Sequence, residues 1–314
     1  MLVSDVGEEG LIELVAGRLP PASGEVWIGD DAAVVAAPSD RLLLTTDTMV
    51  EGQDFDLSYA TGADVGWKIV AINVSDIAAM GGEPSKGLTT LCLPPATELR
   101  FVEDLVDGLL QATERYGLEL VGGDISAAER ISVGVAVVGS VRGEPWLRSG
   151  ASVGDALCVT GSLGGSFSGL QALRLDAAAS GPGVRRHLRP QARLEAAKAL
   201  RDSRISAAID ISDGLVIDLA RLTRASGVGC EVSGAAIPVD QGVVEGLEAA
   251  LFGGEDFELL VTMPEDEVEG AVSAADSCGI ALTRIGTVTS GEATLDGRRL
   301  SDMKERTWDH LRTK

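Results

Sequence analysis

Five short stretches combine acids with small or hydroxyl-bearing neighbours: Ile28-Gly29-Asp30-Asp31, Thr45-Thr46-Asp47, Asn73-Val74-Ser75-Asp76, Gly122-Gly123-Asp124 and Asp210-Ile211-Ser212-Asp213-Gly214. Gathered in one place, such carboxylates repel: a like-charge pair at about 4 Å costs roughly 4 kcal/mol at an effective dielectric near ~20. Either the acids point apart or hard cations lie between them. Carboxylate and hydroxyl oxygens without imidazole or thiolate suit Mg²⁺ rather than zinc or copper. Magnesium in carboxylate cradles points to phosphate chemistry. Any one of these acids alone reads equally as a turn former or a cap; Asp213, before a helix, is also a candidate N-cap.

Hydrophobic periodicity and breakers give the elements that would position these acids. Glu8 to Leu19 has helical spacing and stops at Pro20-Pro21. Strands are expected at Ala32–Ala37 and Arg41–Val50, around a Pro38-Ser39-Asp40 turn. A helix is expected over 62–80, opened by Thr61 with Asp64 and stopped by Gly81-Gly82. A strand over 85–93 precedes a long amphipathic helix from Thr97 to Tyr116, then strands Glu119–Val121 and Ile131–Val141. Composition turns polar and glycine-rich near Gly143–Gly154, a domain boundary. Beyond it come strand Asp155–Thr160, a Gly161–Gly169 loop entering a helix that ends near Ser180-Gly181-Pro182-Gly183, and a helix opened by Pro190. Strand Ala207–Ile211, helix Asp213–Ser226, strand Phe257–Met263, acidic helix Pro264–Cys278 and strand Ile280–Thr289 follow. Four of the five acidic stretches are expected at strand ends or strand-to-helix turns, and Asp76 inside the 62–80 helix. This order is α+β rather than strictly doubly wound.

Composition narrows the chemistry. The 314 residues suggest two domains at ~150 residues each. With 48 Asp and Glu against 26 Lys and Arg the net charge is −22, and such a surface repels nucleic-acid phosphates and anionic lipid headgroups. No run reaches ~18 apolar residues, so no membrane span is expected, and the Met1-Leu2-Val3-Ser4-Asp5 start does not read as a signal peptide. Cys92, Cys158, Cys230 and Cys278 have no ligand or CxxC spacing, which fits free thiols in a reducing cytoplasm. His187 and His310 lie near no Ser or Cys elbow motif, so a nucleophilic triad is not expected. There is no GxxxxGK[ST] and no HRD or DFG set. Gly161-Ser162-Leu163-Gly164-Gly165 could offer helix N-terminal amides to an anion or be a simple tight turn.

The stretches IGDDAAVV (28–35), TTDTMVEG (45–52), AINVSDIAAMGGEPS (71–85), LVGGDIS (120–126), LRSGA (147–151), VTGSLGGS (159–166), AIDISDGLVIDL (208–219) and GGEDFELLVT (253–262) together resemble the thiamine-monophosphate kinases of the aminoimidazole ribonucleotide synthetase-like superfamily. The resemblance spans nearly the whole chain in family order. It implies a two-domain α+β subunit of mixed sheets with helices packed on one face. Residues 1–145 would form an N-terminal domain with the metal and ATP site and the dimer contact. Residues 146–314 would complete the nucleotide and substrate cleft. It also implies a cytoplasmic homodimer that moves the γ-phosphoryl of ATP onto thiamine monophosphate. By position, Asp31, Thr45, Thr46, Asp47, Asp76, Asp124, Asp210 and Asp213 are implied magnesium ligands. Gly123, Arg148 and Ser212 are implied nucleotide contacts, and Glu255 and Trp308 contacts to thiamine. No side chain need act as nucleophile or strong base, because a phosphate oxygen attacks directly. In one place the chain departs from the family: a V-x-G-x-H-F stretch reads Val50-Glu51-Gly52-Gln53-Asp54-Phe55, placing Asp54 at the acceptor where an imidazole is usual. The alternatives are a relative acting on another phosphorylated acceptor and a non-catalytic sensor of magnesium-nucleotide; the sensor predicts ATP binding without turnover.

Overall fold

The computed structural model describes residues 1–18 and 41–306. Asp31, Trp308 and the expected Ala32–Ala37 strand lie outside the described residues. The chain forms two compact units, Met1–Ile77 with Glu83–Gly143, and Ala78–Gly82 with Glu144–Lys314. Among the described residues no helix is long and apolar enough to cross a membrane.

The first unit runs α1 (Val3–Ala16), β1 (Arg41–Val50), α2 (Gly62–Ala79), β2 (Glu83–Leu93), α3 (Leu99–Tyr116), β3 (Glu119–Ala127) and β4 (Ser132–Val141). The first helix starts at Val3, ahead of the expected Glu8, because the Asp5 carboxylate accepts the Leu2 N–H at 2.7 Å and closes the first turn. Thr61 and Asp64 open α2 as the sequence suggests: Thr61 N–H donates to Asp64 Oδ2 at 3.1 Å and Asp64 N–H to Thr61 Oγ1 at 3.2 Å. The strands order as β1-β4-β2-β3, with β2 and β3 parallel across the α3 crossover and the other pairs antiparallel. Pairing with β2 carries β3 on to Ala127, so Gly122-Gly123-Asp124 lies within a strand. Likewise Thr45-Thr46-Asp47 lies in the middle of β1. One face of the sheet buries Leu43, Met49, Leu91, Val133, Val135 and Val137. Helices α2 and α3 touch backbone to backbone: a Cβ on Gly66 would stand 2.1 Å from the Leu105 carbonyl oxygen, and one on Gly108 2.1 Å from that of Ala63. The helix-interior glycines, costly by propensity, are required by that approach.

The second unit contains β5 (Ala156–Thr160), α4 (Gly165–Leu175), α5 (Pro182–Leu188), α6 (Leu194–Ala199), β6 (Ala207–Ile211), α7 (Leu215–Ser226), β7 (Gly229–Val232), α8 (Leu247–Phe252), β8 (Glu258–Met263), α9 (Val268–Ser277), β9 (Leu282–Thr289), β10 (Ala293–Leu295) and β11 (Arg298–Arg299). Its mixed sheet orders β11-β10-β7-β9-β5-β8-β6, parallel only between β7 and β10 among the described strands. Strands β5, β8 and the edge strand β6 are buried at every residue, in keeping with their largely apolar sequences. The core joins Leu157, Val159, Ile209, Leu215, Leu219, Leu260 and Ile285. Two proline readings need correction. The chain near Ser180–Gly183 starts a helix rather than ending one: α4 stops at Leu175, and Pro182 takes the first position of α5, where its missing N–H costs nothing. Pro190 does not open a helix; α6 begins at Leu194.

Candidate functional site

In the first unit the two-residue period of β1 sets Thr45 and Asp47 on the helix-covered face, where Asp76 of α2 meets them. Thr45 Oγ1 donates to Asp76 Oδ2 at 2.5 Å. Burial, then the nearby charges of Asp76 and Asp54, push the Asp47 carboxyl up to about 6. Asp54 folds back on the strand end, its Oδ2 accepting the Val50 N–H at 2.8 Å. The register runs Asp47 to Val135 to Thr89 to Gly123 in one cross-strand row. Thr46 and Asp124 fall in the flanking rows and therefore on the opposite face. The structure thus gathers Thr45, Asp47, Asp54 and Asp76, with Gly123 in line, and sets Thr46 and Asp124 apart from them. Two buried oxygens, Asn73 Oδ1 on α2 and Thr89 Oγ1 on β2, have no hydrogen-bond partner among the described residues.

The donors are hard oxygens crowded enough to raise one carboxyl, and buried oxygens stand orphaned on α2 and on β2, in the same cross-strand row as Asp47, so the region fits a hydrated divalent cation. Among the described residues no three His, Cys, Asp or Glu converge as a ready-made cage. Magnesium takes one or two carboxylates and fills its shell with water and substrate phosphate oxygens.

In the second unit the acid-bearing turn follows β6. Asp210 is buried in the strand, and Ser212 and Asp213 form the turn into α7. Asp213 is not the cap: Gly214 holds that position. Instead Asp218, fully buried one turn into α7, accepts the N–H groups of Ser212 and Asp213 on Oδ2 at 3.1 and 3.0 Å. Arg221 Nη1 bridges Asp218 Oδ1 at 2.7 Å and Asp213 Oδ2 at 2.5 Å. Burial and the Asp213 charge push the Asp218 carboxyl up to about 6 despite these donors. Arg148 is exposed, and its carbonyl oxygen accepts the Ser226 hydroxyl at 2.9 Å.

The 253–257 segment is stitched to the same turn. Glu255 N–H donates to Ser212 O at 2.7 Å and Phe257 N–H to Ile211 O at 2.9 Å. Gly254 has φ +69°, and a Cβ there would stand 2.8 Å from Ser212 O, so only glycine lets the two backbones meet. Glu255 and Phe257 also hold positive φ, +56° and +50°, a conformation that costs about 1 kcal/mol or more apiece without glycine. The Glu255 carboxylate lies 3.0 Å from Nδ1 of the buried His187. Ser166 Oγ stands 3.3 Å from that same nitrogen, so serine and carboxylate do not flank the ring as a triad requires.

The glycine-rich loop before α4 is spoken for. Gly164 N–H donates to Asp256 Oδ2 at 2.8 Å and Ser166 N–H to Oδ1 at 3.4 Å. An internal carboxylate, and not a ligand, takes the helix N-terminal amides. Burial pushes the Asp256 carboxyl up to about 7. An acid whose native pKa is raised contributes stability that is fully present below its ordinary 3.8 and lost as the pH climbs through about 7. Asp256→Asn has no proton to lose. Its melting temperature is expected to gain on that of the parent between pH 5 and pH 8; a gap that does not change with pH would contradict the assignment.

The AIR synthase related protein N-terminal domain family matches residues 29–141, and the corresponding C-terminal domain family matches 152–296. The thiamine-monophosphate kinase of Aquifex aeolicus is 37% identical over 325 residues, covering 99% of this chain and 100% of that protein. The chain belongs to the thiamine-monophosphate kinase family. The fold agrees. The crystal structure of the Stenotrophomonas maltophilia thiamine-monophosphate kinase superposes with a TM-score of 0.81 at 31% identity, covering 92% of this chain and 95% of that one. The structure of AaThiL complexed with AMPPCP and TMP superposes with a TM-score of 0.79 at 36% identity, covering 99% of each chain.

Sequence reasoning passed over Asp218, His187 and Asp256, which hold the turn, the Glu255 carboxylate and the glycine-rich loop in place. Asp218 had a signal: an acid on the apolar side of the helix in Leu215-Val216-Ile217-Asp218-Leu219, where a charge must find partners. His187 had none, since its partners Ser166 and Glu255 are distant in sequence.

Proposed function

We propose that this member of the thiamine-monophosphate kinase family converts ATP and thiamine monophosphate to ADP and thiamine diphosphate by direct in-line transfer of the γ-phosphoryl group, assisted by several magnesium ions. The single observation that carries the magnesium reading is the Thr45–Asp47–Asp76 cluster, where burial and neighbouring acids hold one carboxyl near 6. In this reading Asp31, Thr45, Asp47, Asp76, Asp210 and Asp213 hold the metal ions; Thr46 and Asp124, which the register puts on the opposite face of the first sheet, are left out of that set. Gly123, Arg148 and Ser212 contact the nucleotide, and Asp54, Glu255 and Trp308 the thiamine.

Magnesium, when bound, offsets the charge of the phosphate oxygens and helps to align donor with acceptor. The protein's part is positioning. Thr45 fixes the Asp76 carboxylate by its 2.5 Å hydrogen bond. Gly123 keeps β3 tight against β2: a Cβ there would stand 2.0 Å from the Thr89 carbonyl oxygen. The amides of Ser212 and Asp213, held by Asp218, fix the turn whose side chains serve the nucleotide. No histidine base is needed, because the attacking phosphate oxygen is already anionic near neutral pH.

A cytoplasmic homodimer joined through the N-terminal units belongs to the same reading. The open face of the first sheet supports it: Leu42, Leu44 and Leu88 are 52%, 74% and 48% exposed, and the register places them on one side. All four cysteines are free thiols, as a reducing compartment allows.

Magnesium stoichiometry tests the reading. Equilibrium dialysis with a non-hydrolysable ATP analogue should find at least two Mg²⁺ per chain, falling in Asp47→Asn and in Asp210→Asn. One ion or none would refute the several-metal mechanism.

A further inference from the structure

Glu255 is held more firmly than a turn acid needs. Its backbone is strained at φ +56° and pinned by its N–H to Ser212 O at 2.7 Å. Its carboxylate, one-third exposed, meets the buried Nδ1 of His187 at 3.0 Å. A carboxylate can only accept, so Nδ1 carries the proton and a neutral ring is sufficient. The ring itself cannot wander. It is 4% exposed, it has Ser166 Oγ of α4 at 3.3 Å, and it rides on α5, whose backbone packs against α4 so closely that a Cβ on Gly169 would stand 2.1 Å from Gly183 O. Burying an imidazole and straining a glutamate contribute nothing that an apolar pair would not give the core better. Non-glycine backbone in the left-handed region, over-determined by its surroundings, marks places where geometry serves function.

We propose that His187 is a positioning residue for the acceptor: it fixes the plane of the Glu255 carboxylate and thereby sets how tightly the cationic thiamine moiety is held. This rests on the reading of Glu255 as an acceptor contact. His187 touches neither substrate in this scheme and acts only through Glu255, as an outer hydrogen-bond partner orients a ligand. The consequence is selective: acceptor affinity depends on the Nδ1 proton, and ATP affinity does not.

The two amide replacements separate this role from simple space filling. In His187→Asn the side-chain N–H stands where Nδ1–H stood. In His187→Gln it stands nearer the place of Nε2. His187→Gln should raise the KM for thiamine monophosphate about tenfold, the worth of a hydrogen bond to a charged group, with kcat and the KM for ATP within about twofold. His187→Asn should stay within about threefold of the parent. Glu255→Gln should raise the same KM, and adding His187→Gln to it should change little further. Four outcomes overturn the proposal. If Glu255→Gln raises the acceptor KM but His187→Gln does not, His187 has no positioning role while Glu255 remains an acceptor contact. If Glu255→Gln leaves that KM unchanged, both the acceptor reading of Glu255 and the role of His187 fall. Multiplying effects in the double variant would mean that the two act independently. Equal losses in His187→Asn and His187→Gln would make His187 a packing residue.

Discussion

Asp47→Asn is expected to lower kcat by about a thousandfold or more while the protein stays folded, the scale seen when one preorganised electrostatic partner of a transition state is removed. The same variant should melt no lower than the parent in magnesium-free buffer near pH 8. Both effects have one cause. Asp47 is half-buried beside Asp76 and Asp54, and its carboxyl is pushed up to about 6, so ionising it at pH 8 costs free energy in the empty site. The sign follows: stability contributed by a raised carboxyl is lost as the pH rises through about 6, and an amide escapes that loss. A site tuned to a cation gives up stability that the ion restores. Magnesium should therefore raise the melting temperature of the parent more than that of Asp47→Asn. Melting curves with and without magnesium, beside steady-state kinetics, check the pair of effects. Turnover within tenfold of the parent would remove Asp47 from the reaction.

Asp218→Ala should be the most damaging single change in the second unit's site. It strands two amides and takes one of two carboxylate partners from the half-buried Arg221, and each donor left unsatisfied costs roughly 1–3 kcal/mol. The turn carrying Ser212 and Asp213 loses its anchor, and Arg221 is left with Asp213 alone. The KM for magnesium-ATP should rise at least tenfold, with a smaller rise for the acceptor. Asp218→Asn keeps the shape and one acceptor, so it should lie between parent and alanine in both stability and KM. Urea melts and kinetics at varied ATP measure this. An alanine variant as stable and as active as the parent would show that the turn holds itself.

The elements that carry the site were legible because their patterns are local. The Thr61–Asp64 box, the amphipathic period that ends at Tyr116 and the largely apolar stretch at 207–211 each need only a few neighbouring residues. Reading the acids as strand-end residues failed where pairing decides: β3 continues through Gly122-Gly123 only because β2 lies beside it, and β1 runs straight through Asp47. Register likewise separates Thr46 and Asp124 from Asp47, although all three are acidic or hydroxyl residues in similar stretches. The glycine-rich loop before α4 looked open to an anion because Asp256, which fills it, lies about ninety residues away. Glu255 was marked by resemblance, and its pairing with His187 is a fact of three-dimensional folding alone.

The most direct test is to incubate the purified protein with ATP, thiamine monophosphate and magnesium, with EDTA and no-ATP controls, and to resolve the products by chromatography. Thiamine diphosphate and ADP should appear in equal amounts and be abolished by EDTA. ATP binding without thiamine diphosphate, or transfer that EDTA leaves intact, would contradict a magnesium-assisted thiamine-monophosphate kinase.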